Sequence, residues 1–207
     1  MALTPPTVAS DPASAAHTNT ALAAVTTFIA TAYTEVIEGV NALRERAVKL
    51  GANNGFLEQV DAALANLGTG AGSAATVATD PTTQAQANTA FATTTTKIDT
   101  LNSRALAALD LFIDQTRFHG GRVTPRERIR TAVQDLGSPA TLTAETLGSD
   151  PVTQAHMNTA LANTCAFIDT VNTEVQAILR LFVDEFRLSP GNQILSNRLE
   201  AAINAFD

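Results

Sequence analysis

Apolar residues recur every three or four positions along three long segments of the chain, and this pattern predicts three amphipathic helices that each carry a heptad seam. One line of the seam falls at positions 11, 18, 25 and 32 after Asp11, Asp80 and Asp150. Its residues are Leu22, Ile29, Val36 and Leu43 in the first segment, Phe91, Ile98, Ala105 and Phe112 in the second, and Leu161, Ile168, Val175 and Phe182 in the third. The other line is formed in the third segment by Met157, Thr164, Val171 and Ile178. Several seam positions are small or polar, so we expect a close approach of thin helices.

The three segments belong to a repeat that covers most of the chain. Asp80 follows Asp11 by 69 residues, and Asp150 follows Asp80 by 70. A period of this size is typical of proteins built from repeated structural units. The sequence predicts an extended N-terminal arm (1–10), a first repeat (11–67), a linker (68–79), a second repeat (80–136), a second linker (137–149) and a third repeat (150–207).

Each repeat is predicted to contain a long helix and then a short one. Asp11, Asp80 and Asp150 are the predicted helix caps, with the following proline at the first helical position. The long helices are predicted to end near Lys49, Arg117 and Arg187, where glycine or proline follows within a few residues.

The lengths favour three parallel long helices. A helix of about 36 residues is about 54 Å long. A short helix of about 13 residues and an extended linker of about 12 can just return the chain to the starting end. We therefore predict an all-α, three-helix coiled-coil-like bundle with internal pseudo-threefold symmetry, in which the short helix lies antiparallel and buries Val60, Leu64 and Leu67. The alternatives are an open helical array and a trimer formed between chains.

Composition restricts the partners. The formal net charge is −7, with 13 Lys and Arg residues among 207, so binding to nucleic acid by phosphate neutralisation is not expected. No unbroken apolar run reaches the roughly 20 residues that a membrane helix needs, and no secretory signal is visible at the N-terminus. The lone cysteine, Cys165, is expected to be a small buried filler.

Few residues suggest chemistry, and the sequence predicts neither an enzyme nor a bound cofactor. His17, Gln86 and His156 match by repeat and could form a ring around a metal ion, but their heptad position faces outwards. The repeated asparagines Asn19, Asn88 and Asn158 have two possible roles. They are either hydrogen-bonding residues that fix the register between neighbouring helices, or a repeated contact point for a partner.

The pattern DPxTxAxxNTALA, followed by the Ile-Asp-Thr of the same helix, resembles Ala/Thr-rich helical segments of tailed-phage virion proteins. Head fibres, decoration proteins and tail-fibre connectors carry such segments, and the resemblance covers residues 12–48, 81–117 and 151–187. It implies a virion structural protein that binds other capsid or tail proteins. The three repeats predict a monomeric pseudo-trimer or a homo-oligomer. The alternative is a cellular helical scaffold or surface-coating protein.

Overall fold

A computed structural model describes residues 3–113 and 143–187, together with the single positions 131 and 197. Within these residues the regular structure is entirely helical, which confirms the all-α prediction. The helices are α1 (Ala15–Lys49), α2 (Asn54–Gly68), α3 (Gln84–Ile113) and α4 (Gln154–Arg187). The predicted short helices of the second and third repeats, and the predicted end of α3 at Arg117, lie outside the described residues.

The long helices begin three residues later than the sequence predicts. The N-cap of α1 is Ser14, whose side chain accepts a hydrogen bond from the His17 backbone N–H. Thr83 and Thr153 precede α3 and α4 in the same way, and their carbonyls accept the first intrahelical bonds. The prediction that Asp11, Asp80 and Asp150 cap their own helices is therefore wrong. Each repeat offers two possible capping side chains three residues apart. In the first and third repeats the one nearer the helix is used, because Ser14 and Thr153 accept from the N–H groups of His17 and His156.

The three long helices begin at the same end of the molecule. Ala13, Thr82 and Val152, each just before a long helix, are joined to one another by backbone hydrogen bonds. Near the opposite end, the rings of Phe112 in α3 and Phe182 in α4 pack edge to face with centroids 6.5 Å apart. The helices therefore run parallel, as the return-path argument predicts.

The heptad seam forms the core between α1, α3 and α4. The six residues predicted at the centre of the seam and near the C-terminal ends of the long helices are buried: Ile29, Ile98, Ile168, Leu43, Phe112 and Phe182. Two buried seam threonines, Thr94 and Thr164, each donate a hydroxyl hydrogen bond to a carbonyl four residues earlier in their own helix. Gly39 marks a close approach, because a Cβ atom there would lie 2.7 Å from the Cδ1 atom of Leu179 in α4.

Helix α2 returns along the groove between α1 and α3. At its start, Phe56 packs edge to face on Phe112, with ring centroids 5.5 Å apart. At its end, the Asn66 carbonyl accepts a hydrogen bond from Arg104, two turns earlier in α3 than Phe112. Helix α2 is therefore antiparallel to its neighbours, as predicted, and it buries Val60 and Leu67, whereas Leu64 is partly buried.

One described helix, α1, is long and apolar enough to cross a membrane by length and composition alone. In the structure, 44% of its most apolar window is buried inside the protein. A core helix of a bundle meets the same two criteria, and α1 supplies residues of the seam such as Leu22, Ile29 and Leu43.

Candidate interaction sites at the helix N-termini

A closed cycle of three backbone hydrogen bonds joins the chain at the entrance to the long helices. Ala13 donates to Val152 at 2.8 Å, Val152 donates to Thr82 at 3.0 Å, and Thr82 donates to Ala13 at 2.8 Å. Each residue is the second after an Asp of an Asp-Pro pair, and none has measurable solvent exposure. Each backbone therefore gives one bond and receives one, and no polar group of the cycle is left without a partner.

The carboxylates of the three Asp-Pro pairs bind neighbouring helices. The Asp80 carboxylate accepts from the Ala15 N–H at 3.3 Å, at the start of α1. Asp150 accepts in the same way from Gln84 at the start of α3, at 3.4 Å. Asp11 accepts from Gln154 at the start of α4, at 3.2 Å. A negative charge at a helix N-terminus is favoured by the helix dipole, so each aspartate stabilises a helix that it does not precede directly.

The repeated asparagines hold extended segments against the helices. The Asn19 amide accepts from the Val77 N–H at 2.7 Å and donates to the Val77 carbonyl at 3.0 Å. Asn158 makes the same pair of bonds with Val8, at 2.7 Å and 3.3 Å. Asn88 accepts from the Leu147 N–H at 2.8 Å. These bonds join the asparagines to extended segments of the same chain, whereas the two roles that the sequence leaves open are a bond between neighbouring helices and a contact with a partner.

The residues that the asparagines hold were not identified by the sequence reasoning. Val8, Val77 and Leu147 each lie three residues before an Asp-Pro pair and are buried. A signal exists, because each is preceded by threonine and followed, two residues later, by serine or threonine. Glutamines add to this contact: the Gln154 side chain donates to the Val8 carbonyl at 2.8 Å, and Gln84 donates to the Leu147 carbonyl.

The His17, Gln86 and His156 side chains bind locally instead of meeting in a ring. The Nδ1 atom of His17 lies 3.1 Å from the Ser10 hydroxyl, and that of His156 lies 3.0 Å from the Ser149 hydroxyl. Gln86 accepts from the backbone N–H groups of residues 78 and 79. All three residues fix the turn before their own helix, and no group of three or more His, Cys, Asp or Glu among the described residues is arranged to hold a metal ion.

A groove of about 340 Å³ lies between α2 and α3. Its lining includes Asp99, Thr100, Ser103 and Arg104 of α3 and Asn66 of α2. Burial raises the pKa of the Asp99 carboxyl above its usual range. Arg104 is engaged by the end of α2, since its Nη1 atom donates to the Asn66 carbonyl at 2.9 Å and to the Thr69 hydroxyl at 2.5 Å.

Two further titratable side chains are perturbed by burial. The pKa of Glu35 is raised to about 7, first by burial and then by the neighbouring charge of Glu38. The pKa of the Cys165 thiol is raised to about 11 by burial and by the charge of Asp169. Cys165 is fully buried in α4, and a thiol with a raised pKa is a poor nucleophile.

Comparisons of the chain with protein-family models, with curated proteins and with solved structures found no match.

Proposed function

We propose that this chain is a non-enzymatic structural protein of a virus particle, a capsid decoration, head fibre or fibre/tail connector that acts through protein–protein contacts. We further propose that its three repeats form one bundle with internal pseudo-threefold symmetry. The observation that carries both proposals is the closed hydrogen-bond cycle of Ala13, Thr82 and Val152. Three positions that match by sequence make the same contact with one another, as three identical chains do around a threefold axis.

The repeated polar residues support the bundle with internal pseudo-threefold symmetry. Asn19, Asn88 and Asn158 bind the backbone of the extended segments, and the three Asp carboxylates bind the neighbouring helix N-termini. The most strongly repeated side chains therefore build the molecule. A pseudo-threefold chain can occupy a threefold position in a particle as one copy, while its three outer faces differ in detail. A net charge of −7 suits a position away from packaged DNA.

The test is mass spectrometry of density-purified virus particles from the source culture. We expect this chain at a constant ratio to the major shell protein after nuclease treatment and repeated banding, while an abundant host protein, followed as a contamination marker, falls away. The chain's loss together with that marker, with the protein abundant in the cell extract, would refute the virion role. That outcome would favour the cellular scaffold.

A further inference from the structure

We propose that the segment Leu3–Val8, called here the docked arm, can bind α4 of a second copy of this chain, giving a two-fold dimer joined through the N-terminal ends of two bundles. In the single chain the arm lies on its own α4. The proposal concerns an exchange of the same contacts between two molecules, which is a low-cost route to dimers. It does not depend on the particle in which the chain is found.

The arm binds α4 through a compact set of contacts. Val8 is fully buried, and its backbone is bound by Asn158 on both sides and by Gln154 at the carbonyl. At the other end of the arm, the Leu3 N–H donates to both carboxylate oxygens of Asp169 at 3.1 Å. These contacts join residues that are 150 and 166 positions apart in the sequence. The hydrogen bonds use only α4 and the arm, so a second copy offers the same hydrogen-bonding partners.

The corresponding segment before α3 is held differently. Val77 makes the matching bonds with Asn19, but it follows α2, which is packed between α1 and α3. The Ser73 carbonyl in that segment also accepts a hydrogen bond from Lys97 of α3. Release of this segment would require α2 to leave its groove. Release of the docked arm leaves the four helices in place. The residues between Val8 and Ala13 must then give up the bonds of the Ser10 hydroxyl with Ser14 and His17 and the bond of the Asp11 carboxylate with Gln154.

The direction of the arm fits an exchange between facing molecules. Asp169 lies 11 residues, or about 16 Å, further along α4 than Asn158, so the arm runs back towards the N-terminal end of α4. An arm that swings away from its own bundle points outwards with Leu3 leading. It then enters the groove of a facing copy with Leu3 towards Asp169 and Val8 towards Asn158, in the same direction as before.

The residues that connect the docked arm to α1 limit the distance between the two molecules. The five residues from Val8 to Ala13 span at most about 17 Å when extended. The N-terminal faces of the two bundles must therefore lie within that distance, and each face carries the exposed residues Asp11, Asp80 and Asp150. Facing carboxylates repel, and salt screens this repulsion. We therefore expect the dimer to increase with ionic strength. The arm of the same chain competes for α4 at an effective concentration of about millimolar. Binding by the arm of a second copy therefore requires a high chain concentration.

The test mixes two full-length single-cysteine chains, both carrying Cys165→Ala and tags of different mass. One carries Thr7→Cys and the other Ala162→Cys, at positions that lie between the Val8–Asn158 and Leu3–Asp169 contacts and leave those contacts intact. A short bis-maleimide then joins thiols that come close. A single chain carrying both cysteines, treated at low concentration, must give an intrachain cross-link, which shows that the reagent spans the pair.

We expect the mixed chains to give a covalent heterodimer whose yield increases with chain concentration and with salt. This yield should exceed that of the homodimer formed by either single-cysteine chain. The matched control uses Thr76→Cys and Ala23→Cys, the corresponding positions beside Val77 and Asn19, and should give at least tenfold less heterodimer. Equal yields from the two pairs would overturn the proposal. So would an arm-pair product that light scattering shows to be an open polymer instead of a dimer.

Discussion

Asn158 shows how one side chain fixes a segment that has no regular secondary structure. Its amide accepts from the Val8 N–H and donates to the Val8 carbonyl, as a neighbouring strand would. Buried backbone groups need such partners, because leaving one without a partner costs about 1–3 kcal/mol. The chain uses the same residue type at Asn19 and Asn88, which explains why asparagine recurs at this position.

We expect Asn158→Ala to lower the free energy of unfolding by about 1–3 kcal/mol, because the Val8 N–H loses its acceptor. Urea unfolding followed by circular dichroism measures the change. Asn163→Ala is the control, since Asn163 is an exposed asparagine of the same helix and its replacement should change stability by less than about 0.5 kcal/mol. A loss no larger than that of the control would contradict the assigned role of Asn158.

The raised pKa of Glu35 predicts a pH dependence of stability. The pKa of its carboxyl is about 7 in the folded chain, compared with an ordinary value of 4.5. The folded state therefore binds more protons than the unfolded state between these values, and the stability that Glu35 contributes is lost as the pH rises through about 7. Glu35→Gln should flatten this part of the stability curve and stabilise the chain above pH 7.

Thermal unfolding of the parent chain and of Glu35→Gln from pH 4.5 to 8 tests this prediction. Glu58→Gln is the control, because Glu58 is an exposed carboxylate on α2. Parallel curves for Glu35→Gln and the parent chain would show that Glu35 is not the group responsible.

At the scale of helices and connecting segments, the heptad periodicity predicted the seam residues, whose positions depend on side-chain burial. It missed the hydrogen bonds between residues that are distant in the sequence. The seam residues Ile29, Ile98 and Ile168 follow from the heptad, because burial repeats with the helix. The Asp80 carboxylate binds the N–H of Ala15, which lies 65 positions away. A local capping rule cannot reveal such a partner, and the extended segments have no helical period to reveal their contacts.

Arg104 of α3 holds the C-terminal end of α2. Arg104 donates to the Asn66 carbonyl and to the Thr69 hydroxyl, where free carbonyls and the helix dipole favour a cation. Arg104→Ala should therefore increase amide hydrogen exchange across residues 64–71 and leave the seam of α3 protected. Arg104→Lys should recover only part of the protection, since a lysine keeps the charge and lacks the fork of donors.

Hydrogen exchange with mass spectrometry resolves these segments. Uniformly faster exchange across α2 and α3 would mean that the substitution weakens the whole bundle, and unchanged exchange at 64–71 would mean that Arg104 does not hold the end of α2.

For the whole molecule, the question is whether the three long helices are equivalent around one axis or form an open array. In a closed bundle, each helix packs against two others, and α1, α3 and α4 do contact one another in all three pairs. The isoleucines at the middle of the seam report on this directly, since Ile29, Ile98 and Ile168 are all fully buried. In an open array only the middle helix has two neighbours, so Ile98 would be packed far better than the other two.

We therefore expect Ile29→Ala, Ile98→Ala and Ile168→Ala each to cost about 2–5 kcal/mol, the range for truncation of a large core residue, with the three values alike within about 1 kcal/mol. Thr93→Ala on the exposed face of α3 is the control and should be neutral or slightly stabilising, because alanine has the higher helix propensity. Equilibrium unfolding in urea gives all four values. A loss of unfolding free energy for Ile98→Ala well above the other two would favour the open array. In that array each outer helix has one neighbour, so Ile29 and Ile168 would make fewer packing contacts to lose.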